Sequence, residues 1–77
     1  MNTEYKDIHF DYRARGSNED IKKWCCIDNK KGWELGFIIY YSEWKTNVFI
    51  PVGEATLFSS SCLRDIAQFL EELNKVE

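Results

Sequence analysis

The sequence predicts an α+β domain: a small antiparallel sheet of about four strands with one C-terminal helix packed on one face. Three observations carry this. Apolar and polar residues alternate strictly near the start of the chain, short runs of aromatic and β-branched residues separated by turn formers follow, and helical periodicity is confined to the stretch after Ser59. Strands come first and the helix last, through connections too short for crossovers, so neighbouring strands are expected to run antiparallel.

The first strand is read from Tyr5 to Ala14, where Ile8, Phe10, Tyr12 and Ala14 alternate with Asp7, His9, Asp11 and Arg13. Gly16-Ser17-Asn18-Glu19-Asp20 gathers turn formers and is read as a loop. Lys22 to Ile27, with Trp24 and two cysteines, suits a second strand, and Asp28-Asn29-Lys30-Lys31-Gly32 closes it as a hairpin. A third strand is expected from Trp33 to about Tyr41, a tight connection around Ser42 and Glu43, and a fourth strand from Trp44 to Ile50. Pro51 has no donor to give and is expected to stop the ladder.

After Gly53, Ala55-Thr56-Leu57-Phe58 allows only a brief extended segment, and the serines at 59, 60 and 61 supply helix caps. The helix is expected to begin near Ser60. Leu63, Ile66, Leu70 and Leu73 fall on one stripe, widened on one side by Cys62, Phe69 and Val76, with Glu71, Glu72 and Lys75 toward solvent. Asp65 in the first turn and Lys75 in the last would both favour the helix dipole.

Seventy-seven residues fit a single domain, 1–77. At that size one core supplies only about 3–5 kcal/mol of net stability. Aromatic residues make up 16% of the chain, and large rings let a short sequence bury area quickly. The net charge of −3, from 13 acidic and 10 basic residues, disfavours sequence-independent binding to nucleic acid, although Lys22, Lys23, Lys30, Lys31 and Lys45 leave room for a local basic patch. The three cysteines, at 25, 26 and 62, do not make a disulfide framework. With no membrane-length apolar window and no leader-like N-terminus, the expected setting is the cytoplasm, with no membrane partner.

Catalytic chemistry finds little to build on, and the chain is read as no enzyme. His9, the one histidine, lies among Asp7 and Asp11 on the polar parity of the first strand, where it reads more simply as a solvated side chain than as an acid or base. Cys62 sits where the helix dipole would lower its pKa, but its place beside the apolar stripe favours a buried, inert thiol. Of the adjacent pair Cys25 and Cys26, one is assigned to the core and one to the surface. No metal-ligand spacing, phosphate-cradling loop or cofactor motif is present, so no metal and no cofactor are expected. Gly36, inside a strand, is read as room for a Trp ring or a bend.

The stretch from Trp33 to Pro51 carries more information, because it is apolar on both parities of a strand. Trp33, Leu35, Phe37, Ile39 and Tyr41 share one face of the third strand, and Gly36, Ile38 and Tyr40 the other; on the fourth, Trp44, Thr46, Val48 and Ile50 alternate with Lys45, Asn47, Phe49 and Pro51. One helix covers one face. The second face is either folded over by a neighbouring loop, or it binds a partner. A protein partner is preferred, including a homodimer seam, with Phe37, Ile39, Tyr41, Trp44 and Lys45 as candidate contacts. The alternative is single-stranded nucleic acid stacked on the aromatics with lysines on its phosphates, which the acidic balance disfavours.

L-G-x-I at Leu35 to Ile38, Tyr40-Tyr41, W-K at Trp44-Lys45, F-x-P at Phe49 to Pro51, T-x-F at Thr56 to Phe58 and C-L-x-D-I-A-x-F-L at Cys62 to Leu70 form a series. It resembles a group of small uncharacterised proteins encoded by bacteriophages and prophages, over residues 24 to 74. The resemblance implies a phage or mobile-element origin and action in the bacterial host cytoplasm, and brings no settled activity. Taken with the small size, acidic balance and apolar sheet face, it leads to the reading of a non-enzymatic phage-type accessory protein that binds a host or phage protein, an inhibitor of a bacterial defence system being one such role. The group has an aromatic where Asn47 stands and polar residues where Phe37 and Ile39 stand. That implies Gly36, Ile38 and Tyr40 under the helix and Phe37, Ile39 and Tyr41 outside. Counting apolar residues gives the opposite parity; the version implied by the resemblance is preferred.

Overall fold

Alternation, turn chemistry and helical periodicity resolve into β1 (Ile8–Ala14), β2 (Lys22–Asp28), β3 (Glu34–Tyr41), β4 (Thr46–Pro51) and α1 (Ser60–Val76). The computed structural model describes residues 1–14, 22–53 and 57–76. The strands lie in sequential order in one sheet, each pair antiparallel, and α1 packs against it. The loop expected at Gly16 to Asp20, the extended residues Ala55 and Thr56, and the side chains of Ala14 and Val76 lie outside the described residues.

Three strands start later than expected, and β2 and β4 each run one residue further, to Asp28 and Pro51. β1 starts at Ile8, not Tyr5, because the preceding residues fold back along its outer edge: Phe10 N–H donates to Thr3 O and Tyr5 N–H to Ile8 O, both at 2.9 Å. β3 starts at Glu34, since the turn after β2 closes through Trp33. There Gly32 N–H reaches Asp28 O at 2.8 Å, the Asp28 carboxylate accepts from Lys31 N–H at 2.9 Å, and Gly32 takes φ 72°. β4 starts at Thr46 because the connection consumes residues 42–45 and needs a left-handed residue, supplied by Lys45 at φ 53°. Trp44 and Lys45 are therefore loop residues. Pro51 is the last residue of β4.

Ser59 caps the helix, its Oγ accepting from Cys62 N–H at 3.1 Å while its carbonyl accepts from Leu63 N–H at 2.9 Å. Asp65 falls beyond the first turn, which holds no acidic residue, whereas Lys75 does lie in the last. The buried stripe is Cys62, Ile66, Phe69 and Leu73. It is rotated from the expected one: Leu63 is 51% exposed and Leu70 only half-buried, because the sheet meets the Cys62–Phe69 side of the helix. Glu72 is half-buried and its Oε2 has no hydrogen-bond partner among the described residues, so it does not face solvent as expected.

Phe69 is the centre of the core. Fully buried, it stacks on Phe10 at 4.0 Å between ring centroids and meets Trp24 edge-on at 5.2 Å. Burying a ring of this size stabilises a domain by about 1.5–3 kcal/mol. Ile8, Cys26 and Ile38 complete the sheet's contribution, with Trp24, Phe49 and Phe58 packed around them.

This decides which parity of β3 faces the helix. Ile38 is buried under α1 beside Gly36, while Phe37, Ile39 and Tyr41 lie on the opposite side. Tyr40 shares the parity of Ile38 but sits at the sheet's end, 55% exposed. The space at Gly36 is taken by the Phe49 ring rather than by a tryptophan. Opposite it, the β2–β3 register shifts between Cys26 and Ile27, a bulge that adds local twist and accompanies the packing of Leu35 against the core cluster rather than purely on the outer face.

Candidate functional site

The face of the sheet away from α1 is built by the odd-numbered positions of β1, β2 and β3 and the even-numbered ones of β4, as the register dictates. Lys23, Cys25 and Ile27 come from β2, Phe37, Ile39 and Tyr41 from β3, and Thr46, Val48 and Ile50 from β4. His9, Asp11 and Arg13 of β1 form a polar margin. No helix or strand among the described residues lies over this face.

Three of the five candidate contact residues, Phe37, Ile39 and Tyr41, thus share one surface. Trp44 and Lys45 stand in the loop at its end, where the Tyr41 ring meets Trp44 edge-on at 5.2 Å and the Tyr41 hydroxyl donates to Glu43 Oε2 at 2.7 Å. That hydrogen bond, together with slight burial, pushes the Tyr41 phenol above its ordinary value. Trp44 is 71% exposed.

Reading the strands singly misses the contribution of β2 and β4. Cys25 is buried on the outer face, shielded by the larger side chains around it, so neither cysteine of the adjacent pair is at the surface. Ile27 is also buried, and Val48 and Ile50 are half-buried. Lys23 lays its ammonium over the Phe37 ring at 4.7 Å, and directly opposite it in the β1–β2 pair stands Arg13. Only the register brings these two cations together.

His9 serves geometry. Asn29 Nδ2 donates to the carbonyls of Tyr5 at 2.9 Å and Lys6 at 3.3 Å, which leaves its Oδ1 to accept from His9 Nδ1 at 2.6 Å. His9 Nε2 turns toward Asp11 at 3.7 Å. The ring ties β1 to the turn after β2.

Neither Cys26 nor Cys62 is activated. Burial pushes Cys26 up to about 12, with the neighbouring Cys62 and Cys25 adding to it. Burial also raises Cys62, aided by Asp65, Asp7 and Asp28; the helix dipole expected to lower it is outweighed. Cys62 is one of the residues lining a cleft of about 640 Å³, with Asp7, Asp28, Trp33 and Leu57. Trp33 is 61% exposed, with the Lys31 ammonium 4.7 Å over its ring. Among the described residues no three His, Cys, Asp or Glu side chains are grouped to hold a metal ion, and no helix is long and apolar enough to cross a membrane.

Comparison with protein-family models, curated proteins and solved structures yields no match.

Proposed function

We propose that this chain is a non-catalytic binding protein that engages another protein through the sheet face opposite α1. One observation carries the reading: a contiguous apolar strip of half-buried Phe37, Ile39, Val48 and Ile50, floored by the buried Cys25 and Ile27, lies where no helix or strand of the described residues covers it. Apolar patches rimmed by charge mark protein-interaction sites, and aromatic residues with few central charges match the core of such an interface. Trp44 at the margin offers a large ring at small conformational cost.

The sequence resemblance to phage and prophage proteins gives the partner its setting, a host or phage protein in the bacterial cytoplasm. Inhibition of a bacterial defence system is one activity that such binding would produce. Phe37→Glu and Trp44→Ala change the outer face without touching the core. Wild-type protein used as bait in phage-infected bacterial lysate should retain a partner that both variants lose. Equal capture by all three proteins would sink the reading. A stable dimer by light scattering that Phe37→Glu dissociates would instead make the partner a second copy, and quenching of tryptophan emission by a short oligothymidylate would reassign the face to single strands.

A further inference from the structure

Resting on that reading, we infer that the partner segment is acidic as well as apolar, seating its carboxylates on Arg13 and Lys23 and its aliphatic side chains on Phe37, Ile39 and Val48. The two cations are cross-strand partners on the same face. Like charges directly opposite one another weaken a strand pair, and a carboxylate beside them would relieve the repulsion. Here Asp11, the next residue along that face of β1, turns to His9, 3.7 Å from its Nε2. Arg13 is exposed, and Lys23 is held by the Phe37 ring rather than by an acid.

Position makes the pair informative. Lys23 stands one place before Trp24, which pairs with Ile38, so the register continues it toward Ile39 and from there to Val48. The cations therefore border the apolar strip at the end of the sheet near Tyr41 and Trp44. A segment crossing the strip would meet them with its own charge, and a carboxylate placed there neutralises a repulsion already built into the free protein. The chain as a whole is acidic, at −3, so this positive border runs against its overall charge.

A nucleic acid fits less well. The Lys23 ammonium already occupies one face of Phe37, and Ile39, Val48 and Ile50 give bases nothing on which to stack.

The test uses the full chain and dye-labelled amphipathic peptides of roughly 14 residues, enough for a helix to cross four strands. One peptide pairs Leu with Glu, the second Leu with Lys, and a short oligothymidylate is the third probe. Fluorescence anisotropy should show the Glu peptide binding at least about tenfold tighter than the Lys peptide, with Arg13→Glu/Lys23→Glu reversing that order and Phe37→Ser/Ile39→Ser losing both. Arg13→Gln/Lys23→Gln, which adds no new charge, should reduce the preference without reversing it. Circular dichroism and melting of each variant confirm that it folds. Equal binding of both peptides, preference for the Lys peptide, or no peptide binding overturns the inference, as does tighter binding of the oligothymidylate. In the lysate experiment, a partner lost by Phe37→Glu but kept by Arg13→Glu/Lys23→Glu overturns this inference alone. Failure of the wild type to retain any partner overturns the reading beneath it.

Discussion

Asn74 Oδ1 accepts two hydrogen bonds from Asn47, one from its main-chain N–H at 3.0 Å and one from its side-chain amide at 2.8 Å. One oxygen on the last turns of α1 thus closes a donor on the outer edge of β4, and Asn47 is the sole buried polar residue among the described ones. At the far end of the same edge Pro51 carries no N–H. An edge strand with its donors covered or deleted resists adding a further strand from another chain.

Removing that oxygen should therefore do two things. Asn74→Leu leaves a buried main-chain donor and an amide without this acceptor, at a cost of about 1–3 kcal/mol. It also frees the edge of β4. Urea denaturation should show the loss, and light scattering should show slow self-association that the wild type lacks. Unchanged stability would mean that α1 is not anchored to β4 through this contact.

Gly36 gives a sharper steric prediction. A Cβ at this position would lie 2.6 Å from the Ile50 main-chain oxygen and closer still to the tip of the Phe49 ring. The ring can swing, but the carbonyl belongs to the β3–β4 ladder and cannot. Gly36→Ala should destabilise the domain by about 1–3 kcal/mol, the range for overpacking. Phe49→Leu in the same chain should recover only part of the loss, because the carbonyl contact stays.

The number, order and kind of elements were legible because each leaves a local signal: alternation at Ile8 to Tyr12, turn formers from Asp28 to Gly32, the serine cap and the Leu63–Ile66–Leu70–Leu73 spacing widened by Cys62 and Phe69. The choice of face was not legible in periodicity, since β3 is apolar on both parities and nothing within it separates Ile38 from Ile39; counting apolar residues pointed to the wrong parity, and only the resemblance pointed to Ile38 beneath the helix. That choice depends on Gly36, which makes room for Phe49, and on a helix twenty residues away in which Cys62 and Phe69, rather than Leu63, meet the sheet. Arg13 opposite Lys23 was invisible for a related reason. A register pairs residues across a loop, and single-strand periodicity carries no such information. Trp44 and Lys45 were misplaced because a four-residue loop closed by a left-handed lysine has no glycine to announce it.

Alkaline solution should unfold this protein earlier than its composition suggests. Burial moves Cys26 from 9.0 to about 12 in the folded chain, and Tyr5, Tyr41 and Cys62 are raised as well. A group whose folded pKa is raised contributes stability that is complete below its unfolded value and is lost as pH climbs through the folded one. For Cys26 that window runs from 9.0 to about 12. Urea midpoints measured in reducing buffer from about pH 8 upward should fall steadily above 9, and Cys26→Ala should flatten that fall while lowering stability at neutral pH. A midpoint that stays constant across the window would refute the assignment.

Ile38 and Ile39 are adjacent and chemically identical, so the contrast between them tests the whole arrangement. Ile38 is 1% exposed beneath α1, whereas Ile39 lies half-buried on the open face. Ile38→Ala should cost about 2–5 kcal/mol, enough to unfold much of a domain this small. Ile39→Ala should cost under about 1 kcal/mol, the sheet neighbours covering only its flanks. Its effect should instead appear in partner capture, where losing a methyl-bearing side chain from the centre of the strip weakens binding without disturbing the fold. Thermal melts of the two variants read the first difference and bait experiments the second. If Ile39→Ala proved the more destabilising, α1 would have to cover the opposite parity of β3, and the binding face would be Ile38, Tyr40 and Phe49.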